Sequence, residues 1–397
     1  MSIETIVRLA ARGDGVTESG RYVAGAIPGD TVEGDVIAAG PHRIAPACRH
    51  FGVCGGCQLQ HADDAVLAEF VSGRILGALA GVGIVPETVH PVHLSPAGAR
   101  RRASFRLVRD NGGVRIGFNV EGSSAVVDLA ECPVVQPALW DAARALRDAL
   151  APKLRAGHAV GMTLTETLSG FDVLLTNLSL AAADIGALAA LASEARLARI
   201  ATETSAGVEI ALQLAEPAVR FGDVTVALPP GGFLQATVDG EAALQAAVLE
   251  GIGGAGTVAD LFCGAGTFAL PLSARAKVFA ADAARDAVAA LSAAAKRSGR
   301  PITTAHRDLF RQPLQPAELS KFDAVVLDPP RAGAKTQVET IARSKLKRVV
   351  HVSCNPNTFA RDAKILHEAG FRLTELWPVG QFRWSIHVEL AAVFLRG

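Results

Sequence analysis

Thr257-Val258-Ala259-Asp260-Leu261-Phe262-Cys263-Gly264-Ala265-Gly266-Thr267 is the run from which the fold can be read. Thr257–Phe262 is short, apolar and β-prone, as expected of a strand buried on both faces. Two glycines then relax the backbone, and Phe268–Leu272 reads as the start of an apolar helix. A strand, a glycine turn and a helix let a ligand come close to the main chain. The pattern continues downstream. Lys277–Ala281 predicts a second strand, followed by Asp282, and Ile302–His306 a third, followed by Asp308. Phe322–Leu327 predicts a fourth, ending in Asp328-Pro329-Pro330-Arg331. Leu346–Val352 predicts a fifth, and Cys354 stands where it runs out, before Pro356 prevents its continuing. Strands alternating with helical segments predict a doubly wound α/β sheet that binds ligands at its C-terminal strand ends.

Those strand ends carry the candidate chemistry. Asp282, about twenty residues past the glycines, is placed to accept both ribose hydroxyls of a nucleoside. The glycine turn lacks the third glycine of the dinucleotide fingerprint, which favours S-adenosylmethionine over a dinucleotide. Cys354 alone would read as a small buried hydrophobe, as most free cysteines are. At this edge of the sheet it becomes a candidate nucleophile. Singly, Asp282, Asp308 and Glu389 would each read as solvated surface acids. The ordered series of glycine turn, acid and Asp-Pro-Pro gives them weight, and gives Asp308 the least.

Upstream, Cys48, Cys54 and Cys57 lie on a glycine-rich loop, and Cys132 in Glu131-Cys132-Pro133 can close a set of four. Four thiolates suit a four-iron cluster or a structural zinc. A compact triplet with one distant cysteine before a proline favours the cluster. Four protein ligands leave no open iron, which argues against radical chemistry. Ile3 to Ala45 is rich in glycine, valine and turn signals such as Gly13-Asp14-Gly15 and Pro28-Gly29-Asp30, and predicts a small β-barrel. Between these parts, helices are expected over Ala65–Leu79, Ala138–Leu150 and Ala181–Leu197, with strands over Ala103–Val108, Gly170–Leu178 and Gly207–Leu212. Arg100, Arg101, Arg102, Arg106 and Arg109 form a basic stretch suited to phosphates. The expected organisation is therefore a β-barrel over 1–45, an α+β unit holding the cysteines over 46–226, and the α/β sheet over 227–397.

Formal net charge is zero over 397 residues, so contact with nucleic acid would need local basic patches. No apolar run is long enough to span a bilayer, so no membrane role is expected. Met1–Thr5 lacks a basic stretch followed by an apolar one, and cytoplasmic localisation is expected. No motif bears on oligomeric state.

The residues also carry a resemblance. The chain resembles the RNA uracil-C5 methyltransferases, in particular the iron–sulfur-containing branch that methylates 23S ribosomal RNA. The resemblance rests on the cysteine triplet with Cys132, Gly232-Phe233-Leu234-Gln235, Asp260–Gly266, Asp328–Gly333, Ser353–Pro356 with Arg361-Asp362, and His387-Val388-Glu389. It implies a class I S-adenosylmethionine-dependent methyltransferase domain of Rossmann-like fold, a four-iron cluster on Cys48, Cys54, Cys57 and Cys132, and a shortened TRAM-like barrel at the N-terminus. It further implies Cys354 as nucleophile and Glu389 as base. Gln235, Phe262, Gly264, Gly266, Asp282 and Asp328 would line the donor and uracil pocket. The expected substrate is RNA, 23S ribosomal before transfer RNA. The segment Gly380–Ile386 departs from the Pro-His-Thr usual in the family, and Thr267 stands where relatives often have asparagine.

The chemistry is coherent without the family. C5 of uracil is a poor nucleophile, but a thiolate added to C6 makes the ring an enolate that can attack a sulfonium methyl group. A base must then remove the C5 proton, a task that suits a carboxylate. The target base must also be unstacked. Cytosine-C5 enzymes carry a cysteine where this chain has Asp328-Pro329-Pro330-Arg331, and amino-methylating enzymes need an aromatic residue where Arg331 stands. The alternative of another class is a catalytically silent RNA-binding protein with a cluster.

Overall fold

A computed structural model describes residues 3–397. Within the last third, β1 (Thr257–Leu261), β2 (Lys277–Asp282), β3 (Ile302–His306), β4 (Ala324–Leu327) and β5 (Arg348–Ser353) pair in parallel, in the order 3-2-1-4-5. Two further strands, β6 (Arg372–Gly380) and β7 (Glu389–Leu395), complete the set. β7 inserts antiparallel between β5 and β6. The pairs Thr88–Val89 and His93–Leu94 add in parallel outside β6, so a segment early in the chain closes this edge.

The sheet is covered on both faces because alternate residues of each strand are apolar in both directions. On one face Ala259, Leu261, Val325, Leu327, Val349 and Ala392 pack with helices Asp64–Ala80, Lys335–Ala342 and Pro356–Glu368. On the other, Val258, Val326, Val350 and Val393 pack with helices Val238–Gly251 and Arg285–Arg297. This is the doubly wound α/β architecture expected from the opening run.

The central segment forms a six-stranded sheet, with helices Pro137–Leu150 and Ala182–Ala192 in the same apolar core. The expected helix over Ala181–Leu197 is too long. It ends at Ala192, Arg196 takes a left-handed φ of 53°, and Leu197–Thr204 is a strand parallel to Gly170–Thr176. An Ala/Leu-rich sequence does not mark that change, since both elements are apolar.

Near the N-terminus, Glu4–Leu9, Gly15–Thr17, Tyr22–Val23, Thr31–Glu33 and Val36–Ala38 form a five-stranded antiparallel sheet around Ile6, Ala26 and Val32. Asp30, fully buried, accepts hydrogen bonds from Ile27 N and Gly40 N and pairs with Arg43, fixing the turn. The cysteine loop that follows is fastened to the approach to β7, because Gln58 N and Leu59 N both donate to Trp384 O, at 2.8 and 2.9 Å. Among the described residues no helix is long and apolar enough to cross a membrane.

Candidate active site

Cys354 follows β5 directly and precedes helix Pro356–Glu368. Asn355 caps that helix by accepting from Asn357 N, and Pro356 opens it where an N–H would go unused. Asn355 Nδ2 also donates to Arg331 O at 3.0 Å, and Thr358 Oγ1 donates to the same carbonyl at 3.1 Å. The strand-end loops of β4 and β5 are thereby stapled together. Gly333 turns the first of them at φ 77°, and a Cβ there would collide with Arg361 and Asp362.

β7 starts at this same edge because it runs antiparallel to β5. Ser353 pairs with Leu390, so the next register position sets Cys354 against Glu389. Both line one cavity of about 940 Å³. Glu389 is 5% exposed, and Gln381 donates a hydrogen bond to it. Burial, then repulsion from Asp328, raises its pKa from 4.5 to about 8, against the lowering effect of Gln381. Burial, then repulsion from Glu389 and Asp328, pushes the Cys354 thiol up to about 11, while Arg331 draws it down. Arg331 Nη2 meets His387 Nδ1 at 3.1 Å on the same wall.

The donor-side residues form a second group. Asp282 accepts from Gly264 N at 2.9 Å and Ala284 N at 2.7 Å, tying the end of β2 to the glycine turn. The two glycines differ. A Cβ at Gly264 would meet nothing within 4 Å, so this position is open to a ligand, whereas a Cβ at Gly266 would lie 2.6 Å from Leu291. Gly266 therefore serves helix packing. Between them and β1, Phe262 holds φ at 66°, a conformation that costs on the order of 1–3 kcal/mol. Phe262 N and Cys263 N both donate to Ala281 O, which fixes that turn. Asp328 carries the third acid of this edge. Burial lifts it to about 7, with Asp282 raising it further and His351 opposing. An open glycine beside an aimed carboxylate fits the amino-acid and ribose ends of S-adenosylmethionine.

The cavity joins Cys354 and Glu389 to Cys48, Cys54, Cys57 and Cys132. All four are free thiols. Cys57 is pushed up to about 12 by burial and by repulsion from Cys132, Cys54 and Cys48. Among the described residues no three His, Cys, Asp or Glu side chains close on a point as ligands of a single ion do. What the structure shows is that all four side chains line this one cavity.

The five-arginine patch does not form. Arg101 is buried against Glu241 at 2.6 Å, and Arg109 is bonded to Ala151 O. Arg100 and Arg102 line the cavity, 5.5 Å from the Phe382 centroid and 5.9 Å from that of Phe233. Phe233 is 65% exposed. Cationic and aromatic groups together are suited to phosphates and bases. Sequence reasoning missed Gln381 and Phe382, for which the only signal was the departure of Gly380–Ile386 from the family pattern.

The family profile described as tRNA (Uracil-5-)-methyltransferase matches residues 243–397. An uncharacterized RNA methyltransferase of Zymomonas mobilis is 43% identical, covering 99% of this chain and 100% of the relative. The 23S rRNA (uracil(1939)-C(5))-methyltransferase RlmD of Alkalilimnicola ehrlichii is 32% identical, covering 98% and 96%. The fold is shared with the Pyrococcus abyssi tRNA (uracil-54, C5)-methyltransferase solved with S-adenosyl-L-homocysteine, with a TM-score of 0.73, 22% identity, and coverage of 99% and 100%. The chain belongs to the S-adenosylmethionine-dependent RNA uracil-C5 methyltransferases.

Proposed function

We propose that the protein methylates C5 of a uridine in 23S ribosomal RNA, with Cys354 as nucleophile and Glu389 as base. One observation carries this reading: a thiol and a carboxylate facing each other across neighbouring strands share a cavity wall with Arg331. S-adenosylmethionine supplies an electrophilic methyl group. Cys354 Sγ, as thiolate, adds to uracil C6, and the electron pair reaches C5, which takes the methyl group. Glu389 then removes the C5 proton, the C5–C6 double bond re-forms and the thiolate leaves. Arg331 favours the thiolate. Burial makes Glu389 a stronger base than a free glutamate, so turnover rises with pH through about 8.

Asp282 and Gly264 would hold the donor, and Asp328 and Gln235 the uracil edge. Cys48, Cys54, Cys57 and Cys132 would hold a four-iron cluster, structural because every iron then has its thiolate. Ribosomal RNA is favoured over transfer RNA by the cysteine set and by the relative named as a 23S enzyme. RNA as substrate makes the cytoplasm the place of action. The test is methyl transfer from labelled S-adenosylmethionine to unmodified 23S and transfer RNA transcripts, followed by nucleoside analysis. 5-Methyluridine in the 23S transcript alone is expected. Label confined to cytidine or to base amino groups would overturn the reading.

A further inference from the structure

Gln381 is 2% exposed, on the turn between β6 and β7. Three neighbours fix which way its amide points. Thr237 N, a main-chain donor that cannot be reversed, lies 3.3 Å from Oε1. The amino end is therefore turned to the other side, where Nε2 donates to Gln235 Oε1 at 2.6 Å and to Glu389 Oε2. An amide nitrogen has two hydrogens, and both are used. Gly240 closes the remaining side, since a Cβ there would stand 2.7 Å from Gln381 Cβ.

The consequence passes to Gln235. Its Oε1 is committed to Gln381, which leaves Nε2 as its free polar end. Among the described residues Nε2 has no hydrogen-bond partner, and it is not fully enclosed. Its backbone is held as well, because Arg101 Nε donates to Gln235 O at 3.2 Å while Arg101 pairs with buried Glu241. Gln235 is thus a donor that cannot turn round. Uracil and cytosine differ at position 4, where uracil carries an acceptor oxygen and cytosine a donor amino group. A locked donor pairs with the first and confronts the second, and a mismatch of this kind leaves a buried polar group unpaired.

We propose that Gln381 is a positioning residue that locks Gln235 as a donor and so makes the site select uracil over cytosine, while orienting Glu389. This rests on the reading of Gln235 as a contact to the base edge and of Glu389 as the base. Glu389 is also faced by Asp328 from the end of β4 and by Cys354 from the end of β5.

The experiment uses the full chain and whichever unmodified transcript the wild type methylates, together with the same transcript bearing cytidine at the target position. The cytidine transcript is read as a competitive inhibitor. In the wild type its Ki should lie well above the KM of the uridine transcript. Gln381→Met removes both donated bonds at similar volume. It should lower kcat about tenfold or more and narrow the ratio of Ki to KM about tenfold. Gln381→Glu, which cannot donate when ionised, should act in the same direction. Gln235→Glu keeps an oxygen toward Gln381 and turns an acceptor to the base, so the ratio should move toward cytidine. This last variant decides the matter if those at 381 lose S-adenosylmethionine binding by calorimetry and are misfolded. Wild-type kcat and ratio in Gln381→Met, or an unchanged ratio in Gln235→Glu, overturns the proposal. A wild type that methylates no uridine overturns the functional reading instead.

Discussion

Glu389→Gln should make the protein more stable at alkaline pH while stopping turnover. The carboxyl is almost fully enclosed, so its charge has no water to relax into. A rise from the ordinary 4.5 to about 8 means that the folded state binds this proton more tightly than the unfolded one. Stability is then full below about 4.5 and is lost as pH climbs through about 8. Above that pH the ionised group costs roughly 5 kcal/mol as a ceiling. Asp328 and Cys354 share the repulsion, so about 2–4 kcal/mol is the expected net gain from substitution. Glutamine has the same size and can still accept from Gln381, so packing is preserved. The assay is thermal unfolding of both proteins at pH 5, 7 and 9. The variant should melt within about a degree of the wild type at pH 5, and roughly 2–5 °C above it at pH 9. Titrating groups that do not face Glu389 are common to both chains and cancel, and the shared repulsion with Asp328 and Cys354 is already taken off the ceiling. A variant no more stable at pH 9, or equally stabilised at pH 5, would show that Glu389 is not a strained buried acid.

Cys354→Ala should bind RNA yet form neither adduct nor 5-methyluridine. Glu389→Gln should accumulate a methylated protein–RNA adduct, visible as a slow band on a denaturing gel, and normal turnover in that variant would remove it from the base role. Asp282→Ala should weaken S-adenosylmethionine binding by about 1.5–3 kcal/mol, the cost of losing a hydrogen bond to a charged group; unchanged affinity by calorimetry rules out its ribose contact. Protein purified without oxygen should be brown, with iron and sulfide in comparable amounts, and Cys57→Ala should lose both. Stoichiometric zinc without iron would refute the cluster.

The parallel sheet was legible because a strand buried on both faces must be largely apolar: Ala324–Leu327 is so throughout, and Thr257–Leu261 and Arg348–Ser353 stay readable despite buried Asp260 and His351. Asp282 and Asp328 were legible through the ordered series of glycine turn, acid and Asp-Pro-Pro, since a carboxylate taken singly would read as a solvated acid. The arginines misled. Contiguity in sequence says nothing about facing, and Arg101 turns inward to Glu241 while Arg102 turns to the cavity. The strand at Leu197 was hidden by a composition equally suited to a helix. Gln381 was unreadable for a different reason. A polar residue past a strand reads as loop, and only the fold brings Thr237, Gln235 and Glu389 around it.

The adjacency of β5 and β7 separates the spacing of the two reacting groups from the chain between them. Cys354 and Glu389 are held one strand apart, about 4.7–4.9 Å between backbones, by the ladder that ends at Ser353 and Leu390. A helix, a strand and two turns intervene along the chain. Insertions or deletions in the turn after the helix Pro356–Glu368 can accumulate over evolutionary time without moving nucleophile and base relative to each other, whereas the Gln381 turn is tied to Glu389. A slip of one residue in the ladder has the opposite character. It would turn the side chain at 389 to the other face of the sheet, so the lineage can drift in the length of that first turn but tolerates no intermediate register.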